Sequence, residues 1–344
     1  MRAGLCRLAA VGLALASAGC SPLPPAPAPV VIPTPRAGAF EVSRALLPVV
    51  IGWPATIPAR TATPTPRPTA SARDALIAEV AGFARVRGVD GAGVRGQACV
   101  VQHLGWSGAG SLAECLAAPG RWITFAARGR LTMRADLAVP SNTTIDARNA
   151  GVQLWGGGLI LKRSQNVIIA GLAIAECDDD AIQVTEHAQG IYLTGLDLSR
   201  CHDGLVDVTD GATDVTLAHS TLRDHSKAVL IGASDGHSSD AAIRVTLHDV
   251  IFATQYRHPM CRYAYVHMDR VTVGPWVGDA VDARLGCRVL ITRSWFVGGA
   301  QSGLAVRLDT GPGMGAARVE GSDLAGRPAQ VGGLVPDPPY RGLP

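Results

Sequence analysis

The chain has 344 residues, of which 17% are charged and 5% aromatic, with a formal net charge of +3. So small a basic excess, with no aromatic-interleaved basic patch, excludes nucleic-acid binding as a working reading. The 47% hydrophobic content fits a globular domain, and composition by itself goes no further.

In chain order, Arg2 and Arg7 precede an apolar run from Leu8 to Gly19. That run is too short to span a bilayer and matches the apolar region of a secretory signal. Ser17-Ala18-Gly19 before Cys20 resembles a bacterial lipobox, with Ser17 where Leu is usual. Residues 1–20 are therefore expected to be a lipoprotein-type signal, with ordinary cleavage near Ala18 as the alternative. Both place the mature protein outside the cytoplasm, secreted or lipid-anchored through Cys20 to the cell envelope. Residues 21–70 form a Pro-rich linker, with runs such as Thr63-Pro64-Thr65-Pro66-Arg67-Pro68 that favour extended backbone. Residues 71–344 remain as one domain.

Beyond Cys6 and Cys20 there are six cysteines, an even number suited to an oxidising compartment. Cys177 and Cys201 are 24 residues apart and Cys261 and Cys287 are 26 apart, so each pair is placed either to bond or to pack as small apolar residues. No C-x-x-C occurs, which argues against a thiolate zinc site.

From about Thr143 to Phe296 large apolar residues recur at i, i+2, i+5 and i+7. Val167/Ile169/Leu172/Ile174 and Ile191/Leu193/Leu196/Leu198 are clear copies. The anchors Val167, Ile191, Val215, Val245, Val266 and Val289 are spaced by 24, 24, 30, 21 and 23 residues, and Ser220 and Ser294 stand at the third position of their copies. Steps of two belong to strands, and a step of three marks a bend between two short strands. One such coil cannot bury its own apolar side, but stacked coils can, so the pattern predicts an all-β parallel solenoid. Residues one repeat apart in sequence then lie about 4.8 Å apart in space.

Four segments one repeat apart carry charge into this stack. Asp178-Asp179-Asp180-Ala181-Ile182 is an acidic turn entering a strand. Asp203-Gly204-Leu205-Val206-Asp207 follows one coil later, with two carboxylates on one strand face. Lys227 comes next, and Arg257-His258-Pro259-Met260-Cys261-Arg262 closes the series. Each segment alone reads as a solvated corner. Together they offer oxygen ligands to a hard cation and guanidinium forks to a carboxylated ligand.

This series of D-A-I, D-G-L-x-D, D-H-x-K and R-x-P-x-x-R resembles the pectate lyase superfamily, over about Val80 to Phe296. The resemblance implies a right-handed parallel β-helix with a short helical or loop cap at its N-terminus. It implies calcium ligands at Asp180, Asp203 and Asp207, with Asp178 as a fourth candidate. It further implies substrate binding by Lys227 and Arg262 and proton abstraction by Arg257. The implied reaction is calcium-assisted β-elimination of 4-linked galacturonan, the implied partner is an anionic polysaccharide (polygalacturonate or pectin), and the protein is expected to be a monomer. A pectin lyase-like enzyme of altered metal requirement and a non-catalytic uronan-binding helix are the alternatives. Where many members carry Trp-Ile-Asp-His, this chain has Tyr192-Leu193-Thr194-Gly195, a change expected to affect local packing first. His225 is expected to be structural, and His267 and Asp269 to be buried polar or solvated residues.

Overall fold

The computed structural model describes residues 70–309, 313–341 and 343. The signal segment, the linker up to residue 69 and Cys20 lie outside the described residues. Three parallel sheets carry the fold: sheet A with ten strands and sheets B and C with eight each. One coil runs through Gln165–Ala170 in sheet A, Ala173–Ala175 in sheet B and Ile182–Thr185 in sheet C. It then returns to sheet A at Gln189–Thr194. Parallel crossovers of this kind take the right-handed sense. The all-β parallel helix expected from the repeat is the fold observed.

The register repeats the sequence pattern residue for residue. Val167, Ile191, Val215, Val245, Val266 and Val289 pair in a single row across sheet A. The row continues into Thr143 on one side and Ala317 on the other. The step of three has a local cause. The residue four after each anchor turns the corner from sheet A to sheet B with positive φ: Gly171 (74°), Gly195 (61°), His219 (48°), Asp249 (51°), Arg270 (52°) and Arg293 (50°). One left-handed residue redirects the chain, and the next side chain points inward again. Ser220 and Ser294 fit at that inward position because their hydroxyls work on the backbone. Ser220 Oγ accepts from Leu196 N (3.0 Å) and donates to Ala218 O (2.7 Å). Ser294 Oγ accepts from Val271 N (3.1 Å) and donates to Thr292 O (2.9 Å).

The helical cap is one element, and the other helices lie elsewhere. Helix α3 (Leu112–Leu116), capped by Ser111 Oγ accepting from Glu114 N (3.2 Å), packs Leu112, Cys115 and Leu116 against the first coils of the core. Helices α1 (Ala70–Ala78) and α2 (Gly82–Arg87) instead cover the outer face of sheet A, where Leu76, Val80 and Ala84 join Ile168, Tyr192 and Ala218. The reason is in the strands: these outward positions are apolar, so they need a cover. Tyr192, from the segment that departs from the family pattern, is fully buried there and donates to Glu79 O (2.8 Å).

Three disulfides join Cys99 to Cys115, Cys177 to Cys201 and Cys261 to Cys287. Between the two paired readings left open by spacing, bonding is the one observed. Cys177–Cys201 ties together the two coils that carry the acidic turns.

Candidate active site

The charged segments meet at the corner where the chain passes from sheet B into sheet C. The corner stacks through backbone bonds from coil to coil: Ala181 N donates to Gly204 O (3.4 Å), Leu205 N to Ala228 O (3.0 Å) and Val229 N to Arg257 O (2.9 Å). Asp180, Asp203, Lys227 and Arg257 therefore occupy four successive levels of one corner. Arg257 turns it with φ 61°.

Asp180 and Asp207 are 6% and 7% exposed, and their carboxylates converge over Gly204. A Cβ at Gly204 would lie 2.6 Å from Asp207 Oδ1 and 2.8 Å from Asp180 Oδ1. Gly204 is thus required for close approach rather than for its dihedral freedom, and Gly204 N donates to Asp180 Oδ1 (2.6 Å). Burial pushes the Asp180 carboxyl above the ordinary range. Burial, reinforced by the charge of Asp180, pushes Asp207 well above it, with Arg257 pulling in the opposite direction. Asp207 Oδ1 is buried without a hydrogen-bond partner.

Asp203 sits on the wetter side. Lys227 Nζ donates to its Oδ1 at 2.5 Å, and chiefly this bond holds the carboxyl below its usual range, with Arg257 adding to the effect. His225 Nε2 lies 2.5 Å from Asp203 O and so braces the turn, the structural part expected of it. Ligand oxygens of Asp179, Asp180 and Asp203 all lie within 4.8 Å of one another. Asp179, exposed like Asp178, stands in the group where the sequence suggested Asp178. Only the turn conformation decides which of the consecutive aspartates joins the group, and no sequence signal distinguishes them.

The donor set suits a hard cation. It is all carboxylate oxygen, it holds two buried acids without a neutralising lysine between them, and it leaves one buried oxygen orphaned. Replacing Gly204 by Ala would drive a methyl group into both buried carboxylates. We expect Gly204→Ala to weaken Tb³⁺ or Ca²⁺ binding, measured by luminescence or calorimetry, by at least tenfold while the far-ultraviolet dichroism of the helix is kept.

Arg257 is half-buried, and its Nη1 is buried without a hydrogen-bond partner. His258, beside it, is fully buried and held by Thr254 Oγ1 at 2.9 Å, and burial brings its pKa down to about 4. Arg262 stands apart from the acidic corner on Met260–Arg262 of sheet C. Its Nε donates to Asp235 Oδ1 (2.6 Å) and its Nη1 to Gly232 O (3.4 Å). His267 and Asp269 are buried and lie on sheet A, away from the corner.

Comparison with known proteins bears out the resemblance read from the sequence. Residues 182–309 match a family model described as pectate lyase. A probable pectate lyase P56 of Solanum lycopersicum is 30% identical over 200 residues, 51% of this chain and 50% of that protein. Pectate lyase 4 of Ambrosia artemisiifolia is 35% identical over 199 residues, again 51% and 50%. The chain spans about half the length of these relatives. Among solved structures, the cedar pollen allergen jun a 1 superposes with a TM-score of 0.68 at 21% identity, covering 76% of this chain and 86% of that one. A pectate lyase from Bacillus sp. N165, solved with trigalacturonate, gives 0.64 at 20% identity over 76% and 93%. At these identities the structures speak to the fold.

Proposed function

We propose that this parallel β-helix, similar to pectate lyases in sequence and in fold, is a polysaccharide lyase that cleaves 4-linked galacturonan by β-elimination. One observation carries the reading: an acidic cradle around Gly204, a lysine and an arginine on consecutive levels of a single corner. The acids alone would suit a bare cation site and the bases alone a surface flank.

In the proposed site Asp180, Asp203 and Asp207, with Asp179, would hold Ca²⁺. When bound, the ion offsets the charge of the uronate carboxylate, so that negative charge developing at C5 is better tolerated. Arg257 takes the C5 proton, the C5–H electron pair forms the C4–C5 double bond, and the C4–O4 pair leaves on O4 of the departing chain, which takes up a proton; no water is added. Lys227 binds a substrate carboxylate. Its ammonium is paired with Asp203 Oδ1, on one of the carboxylates that would hold the cation. Arg262 binds a second carboxylate through the guanidinium edge that Asp235 and Gly232 leave open.

Ultraviolet absorbance of the unsaturated product, on polygalacturonate with calcium and then with chelator, tests the proposal. Calcium-dependent absorbance is expected. Retained uronan binding with no absorbance on polygalacturonate or esterified pectin would leave a binding helix in its place. Chelator-resistant absorbance would leave a lyase of altered metal requirement.

A further inference from the structure

A second cluster of ligating side chains lies at a different corner of the coil, where sheet A passes into sheet B. His219, Asp249 and Arg270 turn that corner on three successive levels. His219 N donates to His248 O (2.9 Å) and Asp249 N to Asp269 O (3.0 Å), which stacks the levels. His248 ends its sheet A strand, Arg244–His248, and directly precedes Asp249. Ligand atoms of His219, His248 and Asp249 all lie within 4.8 Å of one another.

Two of the three separations are those of a coordination shell. His219 Nδ1 and His248 Nε2 lie 3.3 and 3.5 Å from Asp249 Oδ2. Bonds of about 2.0–2.1 Å to a tetrahedral Zn²⁺ set neighbouring ligand atoms about 3.4 Å apart. His219 is exposed, so its ring is free to turn and shorten the third separation. His248 is fully buried, and its Nδ1 lies 2.9 Å from Oδ2 of Asp269, itself buried. A carboxylate accepts there, so Nδ1 carries the proton and Nε2 offers its lone pair to the corner. A histidine held by a carboxylate through one nitrogen and open at the other is arranged as a metal ligand. Two imidazoles and one carboxylate suit a borderline transition ion better than Ca²⁺, which prefers oxygen alone.

A cationic group already stands against these atoms. Arg270 Nη2 lies 3.0 Å from His248 Nε2 and donates to Asp249 Oδ2 (2.6 Å), while its Nε donates to Asp249 Oδ1 (2.7 Å). A guanidinium has no acceptor, so its contact with Nε2 is further evidence that the lone pair points outward. Arg270 is also what an incoming ion must displace, and as a partly exposed side chain it has solvent to move into. We propose that His219, His248 and Asp249 form a binding site for a divalent transition ion of the Zn²⁺ class, with Arg270 as its competitor. Three protein ligands leave one position of a tetrahedron to water. The ion would clamp two successive coils at this corner. The proposal stands apart from the acidic cradle and does not rest on the lyase reading.

The test titrates Zn²⁺ into the full chain, stripped with chelator and then held in excess Ca²⁺, against a chromophoric chelator. Co²⁺ in place of Zn²⁺ reads the geometry through its visible absorbance. The expected result is one tight ion per chain, the intense bands of tetrahedral Co²⁺, and a melting temperature raised by Zn²⁺. His219→Asn, which suits the φ of 48°, is expected to weaken binding about tenfold or more, and Asp249→Asn provides a second variant should the first fail to fold. Arg270→Asn is expected to tighten binding about threefold or more, a gain that a merely damaged fold would not give. Asp207→Asn, in the acidic cradle, is expected to leave Zn²⁺ affinity unchanged. Failure of the folded wild-type chain to bind Zn²⁺, or an affinity that neither His219→Asn nor Arg270→Asn moves, would overturn the site and leave the lyase reading as it stands.

Discussion

Arg257→Ala is expected to lower kcat on polygalacturonate by about 10³-fold or more, within the 10²–10⁴-fold that a positioned general base supplies and with added loss of charge stabilisation. The melting temperature should change little, because the side chain makes no hydrogen bond through its buried Nη1 that its removal would break. The backbone at Arg257 has φ 61°, so Arg257→Gly is the sterically easiest replacement, with Arg257→Asn next. Arg257→Lys keeps the charge but not the planar fork, and should recover at most a small part of the rate. Activity should rise with added calcium, which would offset the charge of the uronate carboxylate beside C5. An Arg257→Ala enzyme with more than a tenth of the wild-type kcat would rule out the base role.

The core was legible in the sequence because a solenoid makes its long-range contacts at one fixed sequence distance. Val167 touches Ile191, and Ile191 touches Val215, so periodicity reports the tertiary register directly. The ends were less legible. The strands Gln97–Val101 and Ala316–Glu320 extend sheet A beyond the repeat, but their inward residues are short or mixed and do not reproduce the four-residue signature. The position of α1 and α2 depended on outward residues such as Ile168 and Tyr192, which a pattern tuned to the inner face passes over. At the candidate site, spacing aligned Asp180, Asp203, Lys227 and Arg257 on successive coils. Spacing could not say that Asp179 joins the acidic group, that Lys227 is tied to Asp203, or that Arg262 is held by Asp235. Those are properties of turns and rotamers, which a two- or three-residue period does not encode.

Asp207→Asn should divide stability from function. In the metal-free protein Asp207 is buried beside Asp180, and both carboxyls lie above their ordinary range, chiefly through burial. A carboxyl raised on folding binds its proton more tightly in the native than in the unfolded state. Its folded state is therefore favoured below the unfolded pKa of about 3.9, and stability is lost as pH rises through the folded pKa. At neutral pH these two acids thus oppose folding, and a cation that binds only the native state restores it by about 2.7 kcal/mol at a hundred times its Kd. Asn has nearly the shape of Asp and no charge to bury. We expect Asp207→Asn to melt higher than wild type at pH 7 to 8 in chelator, with the difference shrinking toward pH 4. Added calcium should raise the wild-type melting temperature and leave the variant nearly unmoved, and activity should fall by about 10²-fold or more. A variant that is destabilised in chelator at neutral pH, or that keeps the calcium-induced shift, would show that Asp207 is a structural acid satisfied by the fold. Stability gained where function is lost is the mark of a group kept for binding, since nothing in the packing around Gly204 calls for a charge there.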